Sequence, residues 1–243
     1  MAIAVADEAG RLLLEVRAEL ARAGARRLGE EGDRRSHALI ADRIAALRPH
    51  DAILSEEGAD DPGRLECRRV WIIDPLDGTR EYGEPPRDDW AVHVALCVDG
   101  AAAAGAVVLP AQGRSYGTAD APRALPPAPR RLRIAVSRSR PPRLAGMVAS
   151  ALDADLLPMG SAGAKAMAIL AGVVDIYLHA GGQYEWDSAA PVAVALAAGL
   201  HASRLDGSEL RYNRPDPYMP DLLICRPELA AAVLGLTGTA SAS

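Results

Sequence analysis

The stretch VWIIDPLDGTREY, residues 70–82, carries the clearest structural signal in this chain. Its first four residues are apolar and predict a strand, which runs directly into Asp74 and Asp77. Pro75 fixes the backbone between the two aspartates, so the turn that begins there should bring both carboxylates to one side of the strand's end. For this motif alone, an aspartate-capped turn without chemistry is the alternative.

Two further acidic segments stand where a predicted element begins or ends. Glu56 and Glu57 follow the apolar pair Ile53-Leu54, and Asp187 immediately precedes an alanine-rich helical segment. Taken singly, the glutamates could form a solvated turn, and Asp187 could cap the helix N-terminus. Taken with the aspartate pair, these acids predict one acidic cluster.

Such a cluster of carboxylates predicts a metal site. If Glu56, Asp187 and the aspartate pair converge, each two carboxylates at ~4 Å repel by about 4 kcal/mol at an effective dielectric constant of 20. Cations must offset this repulsion, and oxygen ligands with no Cys or His nearby in sequence favour Mg²⁺ over Zn²⁺. Hard cations with open coordination positions can bind a phosphate group and activate water.

Apolar periodicity elsewhere predicts a mixture of helices and strands. Helical spacing covers residues 7–20, 34–48, 143–152, 162–171, 188–198 and 228–234. Strands are predicted at residues 52–54, 70–73, 90–98, 101–109, 132–136, 155–158, 174–178 and 222–225, with Asp99-Gly100 as a hairpin turn. Mixed elements on both sides of a proline-rich connection at 119–129 predict sheets covered by helices, an α/β or layered α+β fold.

Composition and charge argue against several classes of partner. Of 243 residues 49% are hydrophobic, yet phenylalanine is absent and 49 residues are alanine, so the core must pack small aliphatic side chains closely. The net charge is −5, and the 26 arginines are accompanied by a single lysine, Lys165. No basic stripe suited to nucleic acid or to an anionic membrane is visible, so neither partner is expected.

The cysteines and the apolar runs predict a cytoplasmic protein. Cys67, Cys97 and Cys225 show no metal-type spacing, which favours a reducing compartment. The longest uncharged run, residues 188–203, is shorter than the ~20 apolar residues that a membrane span needs. The N-terminal MAIAVADEAG lacks a basic region, so a secretory signal is not expected.

Several spaced motifs resemble one protein family. These are GEEGDRRSHALI, SEEG, VWIIDPLDGTREY, RDDWAVH, GSAGAKAMA, YLHAGGQYEWDSAAP and LDGSELRYN. In this order they are similar to the inositol-monophosphatase-like, lithium-sensitive, magnesium-dependent phosphatases, and within them to the CysQ-type 3′-phosphoadenosine-5′-phosphate phosphatases of actinobacteria. The resemblance implies an αβαβα sandwich of the sugar-phosphatase type. It also implies one phosphatase domain over 1–243, with most metal ligands in an N-terminal half, 1–118, and Asp187 and substrate contacts in a C-terminal half, 130–243.

The resemblance also implies a set of metal ligands for two or three Mg²⁺ ions. One ion would be held by Glu56, Asp74 and the carbonyl of Leu76, and a second by Asp74, Asp77 and Asp187.

A separate pair of residues would activate water, according to the same resemblance. Thr79 would donate to Asp33 and orient the attacking water. Relatives often have Thr-x-Ala-Asp where this chain has Glu30-Glu-Gly-Asp33, so the aspartate is kept while the residues before it differ. No Ser-His-Asp or Cys-His arrangement rivals this pair as a source of a nucleophile.

The predicted substrate contacts surround the acidic cluster. They are Glu56, Asp77, Gly78, Thr79, Arg80, Ser137, Arg138, Lys165 and Asp187. Free N–H groups at Gly78 and Thr79 suit a phosphate oxygen. Lys165, in a chain that otherwise uses arginine, is interpreted as a compact charge near phosphate, with an ordinary exposed lysine as the alternative. Ser137-Arg138 could equally be a solvated basic loop.

Other positions bear on the substrate. His179 stands where relatives commonly have arginine, and Tyr184 could stack on adenine or simply pack in its loop. Inositol-specific relatives place a glutamate seven residues before the metal aspartate, where this chain has Ala180. Glu185 lies two residues before Asp187 instead, which favours the nucleotide branch.

Three functions therefore remain open from the sequence. The leading hypothesis is a Mg²⁺-dependent, Li⁺-sensitive phosphatase that converts 3′-phosphoadenosine 5′-phosphate to AMP in sulfate assimilation. A phosphatase for inositol 1-phosphate or fructose 1,6-bisphosphate is the alternative enzyme. A metal-binding regulatory protein without turnover is the third hypothesis. A small phosphorylated molecule is the expected partner, and relatives are often dimers, so a homodimer is one expected assembly.

Overall fold

A computed structural model describes residues 1–22, 24–122 and 124–240, and these contain seven α-helices and ten strands in two sheets. The helices are α1 (Ala2–Glu19), α2 (Ala25–Leu47), α3 (Thr79–Tyr82), α4 (Arg143–Leu152), α5 (Ala162–Leu170), α6 (Glu185–Ala197) and α7 (Ala230–Ala240). The strands are β1 (Ala52–Ser55), β2 (Arg69–Asp77), β3 (Ala91–Val98), β4 (Ala101–Leu109), β5 (Arg114–Gly117), β6 (Arg133–Ser137), β7 (Asp155–Met159), β8 (Ile176–Tyr184), β9 (His201–Ser203) and β10 (Tyr218–Cys225).

The first sheet has the strand order β1-β2-β3-β4-β5. β1 and β2 are parallel, and the remaining pairs are antiparallel. Asp99 and Gly100, which join β3 to β4, have φ angles of 51° and 80°. Two left-handed residues in succession form the tight turn that suits a twisted hairpin, which confirms the prediction for this dipeptide.

The second sheet has the strand order β7-β6-β8-β10-β9. β6 lies parallel to both β7 and β8, while β10 is antiparallel to β8 and β9. The long β8 ends directly at the N-terminus of α6. This sheet therefore delivers its longest strand to the start of the helix that carries Asp187.

The helices form three layers around the two sheets. α1 and α2 cover the outer face of the first sheet, α5 and α6 lie between the sheets, and α4 and α7 cover the outer face of the second sheet. The layered α/β fold predicted from the sequence is thus confirmed. Among the described residues, none of the helices combines the length and the apolar character needed to cross a bilayer.

The middle layer is built largely from small side chains. Buried alanines of α5 and α6 face both sheets and pack with aliphatic residues such as Val107 and Ile224 in the largest core cluster. Small side chains allow the helix axes to approach the sheets closely, so this layer fills its core without phenylalanine side chains.

Several element boundaries differ from the predictions by a few residues, and three of them bear on the site. α2 begins at Ala25 rather than at residue 34, because Gly29 and Gly32 interrupt the apolar pattern of its first turns although both are helical. β8 continues past residue 178 to Tyr184, and α6 begins at Glu185 rather than at residue 188. The sequence did not predict the short edge strands β5 and β9, because apolar and polar residues do not alternate in them.

Candidate active site

A β-bulge places Asp74 and Asp77 on the same side of β2. On β3, Asp74 pairs with His93 and Asp77 pairs with Ala91, so a step of three residues along β2 matches a step of two along β3. Residues three apart in a regular strand face opposite sides, and one extra residue reverses the second side chain. The predicted convergence of the two carboxylates therefore follows from the bulge.

Asp77 is bound by the first turn of α5 and by a histidine. Its two carboxylate oxygens accept the backbone N–H groups of Ala162 and Gly163 at 3.1 and 2.7 Å. Nε2 of His93 lies 3.1 Å from Oδ2 of Asp77. Burial alone would raise the pKa of Asp77, but the facing His93 outweighs burial, with help from Lys165, and lowers it. Asp77 is therefore held in its ionised form.

Asp187 occupies the third position of α6, not its N-cap. Its Oδ2 reaches back to accept the backbone N–H of Tyr184 at 2.7 Å, which ties the carboxylate to the end of β8. Asp187 is thus not the N-cap residue itself, although its carboxylate completes a capping box at this helix N-terminus. Its role as a site residue stays a prediction.

The acidic cluster forms where β2 and α6 meet. Carboxylate oxygens of Asp74, Asp77 and Asp187 all lie within 4.8 Å of one another. Burial and neighbouring carboxylates raise the pKa of Asp74 well above its usual value and that of Asp187 to about 6. Glu56 opens onto the same cavity, and desolvation together with Asp187 and Asp77 raises its pKa to about 7.

The donor set of this cluster fits hard divalent cations. It offers carboxylate oxygens only, and burial together with their mutual repulsion raises three of their pKa values. Two cationic side chains, His93 and Lys165, lie beside Asp77 and Asp187 and offset only part of this charge. Mg²⁺ prefers oxygen ligands, and a protein usually supplies only a few of them because the ion keeps several of its water ligands.

The predicted water-activating pair also comes together. Oγ1 of Thr79 lies 3.5 Å from Oδ2 of Asp33 and 3.2 Å from the carbonyl oxygen of Leu76. Asp33 is buried in the middle of α2, and burial, followed by the charges of Glu57 and Glu56, raises its pKa to about 8. Its Oδ1 has no hydrogen-bond partner among the described residues. A carboxyl group with this pKa can take up a proton near neutral pH.

A glycine brings α2 close enough for this contact. A Cβ atom at Gly29 would lie 2.6 Å from Cγ2 of Thr79, so any side chain there would push the two elements apart. Two turns further on, Ser36 donates to the carbonyl oxygen of Pro75 at 2.7 Å. The same face of α2 therefore holds both the turn after Asp74 and the hydroxyl of Thr79.

A cavity of about 520 Å³ opens over the acidic cluster and collects most of the predicted contacts. It is lined by Glu56, Asp77, Gly78, Thr79, Arg80, Ser137, Arg138, Lys165 and Asp187. Gly78 has a left-handed φ of 88° and precedes α3, and Arg80 is exposed at the rim. Leu76 and Asp33 are buried beneath this surface.

Lys165 is buried, with 4% of its surface exposed, so the alternative of an ordinary exposed lysine is wrong. Its Nζ donates to the carbonyl oxygens of Gly160 and Ser161, the latter at 2.8 Å, and lies 5.2 Å from the centre of the Tyr177 ring. Burial lowers its pKa, although Asp77 and Asp187 favour the charged form. It is thus a fixed cation in the cavity wall.

Arg138 reaches the cavity through an ion-pair network. Its guanidinium contacts Glu81 at 2.7 Å and Glu84 at 3.0 Å, both beside α3. Ser137 lies next to it, with its Oγ 3.4 Å from Oγ of Ser139. The solvated basic loop that was the alternative for this segment does not describe Arg138, which is half-buried and paired.

Aromatic rings also line the cavity. Tyr184 stacks on Trp186 with ring centres 4.8 Å apart, and Tyr218 stands edge-on to Tyr184 at 6.1 Å. Tyr184 and Tyr218 remain 45% and 42% exposed, so each offers a free ring surface. His179 contacts the carbonyl oxygen of Gly182 at 2.8 Å instead of pointing freely into the cavity.

His93 is a site residue that the sequence did not reveal. It is fully buried, and its Nδ1 lies 3.0 Å from the carbonyl oxygen of Trp186, so the ring spans Asp77 and the start of α6. In sequence it is one histidine within an apolar strand. Only its register opposite Asp74, which the hairpin turn and the bulge determine together, could have indicated this position.

This fold and its buried carboxylate cluster beside fixed cations are those of a metal-dependent phosphatase. The chain belongs to the inositol monophosphatase family, whose pattern matches residues 1–238. It is 55% identical over 236 residues to the 3′-phosphoadenosine 5′-phosphate phosphatase of Mycobacterium bovis, covering 94% of this chain and 88% of that protein. The Mycobacterium leprae protein of the same name is 52% identical, with 97% and 92% covered. The solved structure of CysQ from Bacteroides thetaiotaomicron superposes with a TM-score of 0.76 at 25% identity, covering 93% of this chain and 95% of that one.

Proposed function

We propose that this chain is a Mg²⁺-dependent phosphomonoesterase that hydrolyses 3′-phosphoadenosine 5′-phosphate to AMP and phosphate and serves sulfate assimilation. The observation that carries this proposal is the cavity itself, which places three clustered carboxylates next to the fixed cation of Lys165. Relatives that are more than half identical over nearly the whole chain bear the name of this activity.

Two or three Mg²⁺ ions would be held by the acidic cluster. The ligands would be Glu56, Asp74, Asp77, Asp187 and the carbonyl oxygen of Leu76. Bound Mg²⁺ supplies Lewis acidity, which draws electron density from the phosphoryl oxygens and makes a nearby water more acidic. Asp77 is the ligand most firmly oriented by the protein, because two backbone N–H groups and His93 hold it.

Thr79 and Asp33 would manage the proton of the attacking water. The Thr79 hydroxyl has two acceptors in reach, Oδ2 of Asp33 at 3.5 Å and the carbonyl oxygen of Leu76 at 3.2 Å. With Leu76 bound to an ion the hydroxyl would donate to Asp33, and its lone pairs would accept from water. Ionised Asp33 would take the Thr79 hydroxyl proton while Thr79 takes one from the water, and the raised pKa of Asp33 makes its carboxylate a stronger base than an ordinary aspartate. Water attacks phosphorus directly, so no covalent enzyme intermediate is needed.

The remaining contacts suit a nucleotide with two phosphates. Backbone N–H groups of Gly78 and Thr79 would contact the phosphate that is cleaved. The Arg138 guanidinium would meet the second phosphate, and the exposed ring of Tyr184 would stack on adenine. These two groups lie in the wall of one cavity, as a ligand with an anionic and an aromatic end requires.

Phosphate release from three candidate substrates tests this function. We expect kcat/KM with Mg²⁺ to be highest for 3′-phosphoadenosine 5′-phosphate and lower for inositol 1-phosphate and fructose 1,6-bisphosphate, with Li⁺ inhibiting. Asp77→Asn should lower the rate by more than the roughly 100-fold typical of losing an outer-shell contact. Asp42→Asn, an exposed change on α2, is the matched control and should leave the rate intact.

The opposite ranking would favour the alternative enzyme of the same family. If the purified protein with Mg²⁺ released no phosphate from the bisphosphate nucleotide, the proposed function would be wrong. Near-normal turnover by Asp77→Asn would contradict the metal assignment.

A further inference from the structure

Gln183, near the end of β8, has a buried amide group without a partner. The residue is only 7% exposed, and neither its Oε1 nor its Nε2 finds a hydrogen-bond partner among the described residues. An unpaired buried amide is costly, because it has lost its hydrogen bonds to water and gained none. Its cross-strand neighbour is Met219, so an apolar residue at position 183 would fit this environment at no such cost.

The position of Gln183 connects it to the acidic cluster. Gln183 lines the 520 Å³ cavity, and the peptide that follows it supplies the Tyr184 N–H bound by Asp187 at 2.7 Å. The rings of Tyr184 and Tyr218 are 45% and 42% exposed, whereas Gln183 is buried. Gln183 is therefore a buried member of the cavity wall, and it adjoins the peptide that Asp187 holds.

The chemistry of the amide indicates what it would bind. A glutamine side chain donates through Nε2 and accepts through Oε1 at the same time, which complements a hydroxyl group that also does both. In the proposed function the acidic cluster receives the phosphate ester, so the substrate atoms nearest to a residue beside Asp187 would be the ester carbon and its neighbour. In a bisphosphate nucleotide cleaved at its 3′ position, that neighbour carries the 2′-hydroxyl.

We propose that Gln183 is a specificity residue that binds the hydroxyl on the carbon next to the scissile phosphate ester. This inference rests on the proposed function for its nucleotide substrate, although the recognised unit is any phosphate monoester with a neighbouring hydroxyl. A base-reading role is disfavoured because the amide is buried, whereas the rings that could stack on a base are exposed.

Removing the hydroxyl from the substrate and the amide from the protein tests this contact. With adenosine 3′,5′-bisphosphate and its 2′-deoxy analogue, the unaltered protein should prefer the hydroxylated substrate by about tenfold or more in kcat/KM. Gln183→Met keeps the side-chain length without the amide and should process both substrates within about twofold of each other. Gln112→Met, which changes the chain's other glutamine in an exposed turn, is the control and should keep the full preference.

Two results would overturn the proposal. One is equal kcat/KM for the two nucleotides with the unaltered protein. The other is an unchanged 2′-hydroxyl preference in Gln183→Met, including the case in which only discrimination between adenine and guanine substrates changes. Thermal unfolding of each variant shows whether the substituted protein is folded.

A second substrate pair separates this inference from the proposed function. Glycerol 2-phosphate has hydroxyls next to the ester carbon, and isopropyl phosphate lacks them. If the protein ignores the nucleotide, the proposed function fails, but a preference for glycerol 2-phosphate that disappears in Gln183→Met would still support the role of Gln183. An equal rate on this pair, or a preference that survives in Gln183→Met, would contradict it.

Discussion

His93 contacts Asp77 of the acidic cluster and the backbone at the start of α6, two segments that are far apart in sequence. One ring nitrogen faces Asp77 and the other faces the carbonyl oxygen of Trp186, at 3.1 and 3.0 Å. Burial would lower the pKa of His93, but the Asp77 carboxylate outweighs burial and raises it. The ring thus orients one carboxylate of the cluster and the N-terminus of α6 together.

Replacing His93 should weaken Mg²⁺ binding before it affects folding. We expect His93→Leu to raise the Mg²⁺ concentration for half-maximal rate by about 10- to 100-fold, because residues that orient metal ligands typically have effects of this size. His93→Gln keeps a donor and an acceptor and should recover part of the affinity. A Mg²⁺ titration of the rate measures both, and an unchanged requirement in the leucine variant would contradict the role.

The Thr79 hydroxyl should matter for turnover and not for binding. Thr79→Ala removes the donor to Asp33 and should reduce kcat by about 10²- to 10⁴-fold with little change in KM or in the Mg²⁺ requirement. Thr79→Ser restores the hydroxyl and is the matched comparison. Steady-state kinetics of the two variants decide the matter, and equal kcat values for alanine and serine would rule out a role in catalysis for the hydroxyl.

At the scale of single elements, the contact between α2 and α3 determines whether Asp33 reaches Thr79. Four buried residues share one face of α2: Gly29, Gly32, Asp33 and Ser36. The glycines admit the neighbouring turn, and the polar residues bind it. The helix therefore supplies both the space and the polar groups that the water-activating pair requires.

A methyl group at Gly29 should disturb this contact. Gly29→Ala places a Cβ atom 2.6 Å from Cγ2 of Thr79, so we expect kcat to fall by about tenfold or more as Thr79 moves from Asp33. Gly146→Ala on α4 meets no atom within 4 Å and should instead stabilise the protein by about 0.5–1 kcal/mol, as alanine does in helices. Kinetics and thermal unfolding of the pair separate the local effect from the general one. Normal kcat in Gly29→Ala would show that α2 can move away from Thr79 without affecting catalysis.

The elements most fully predictable from sequence are those with a local cause. The hairpin at Asp99-Gly100, the strand before Asp74 and the helix at residues 143–152 follow from turn residues and apolar periodicity. The first turns of α2 do not, because the reason for Gly29 is a neighbour 50 residues away. The placement of His93 likewise depends on a bulge in the adjacent strand. Tertiary contacts of this kind leave no periodic signal in the chain.

Across the whole molecule, the raised pKa values of the site link stability to pH. Burial and mutual repulsion raise the pKa of Asp33 to about 8, of Glu56 to about 7 and of Asp187 to about 6. Without cations the folded state therefore binds more protons than the unfolded state between about pH 4 and 8, and stability falls as the pH rises through this window. Surface acids such as Glu31, whose pKa its arginine partners lower to about 2, titrate below this pH window.

Mg²⁺ should remove most of this pH dependence. In the presence of a chelator we expect Tm to fall by about 5 °C or more from pH 5.5 to pH 8, and saturating Mg²⁺ to raise Tm much more at pH 8, where protons no longer compete for the carboxylates. Asp187→Asn removes one of the acids and should show a shallower fall in chelator. Thermal unfolding at both pH values measures this, and a Tm that rises with pH in chelator would be the contrary finding.

The middle helix layer makes the site sensitive to changes far from any ligand. Where α6 crosses β4, a Cβ atom at Gly105 would lie 3.1 Å from the Cα of Ala190, so the backbones of helix and strand are almost in contact. Layers filled with long side chains can absorb a larger residue by changing rotamers, whereas alanine and glycine have no rotamers to change. An enlarged side chain in this layer must displace α6 as a rigid body, and Asp187 moves with it. The alanine-rich composition therefore leaves this protein little mutational tolerance at its centre.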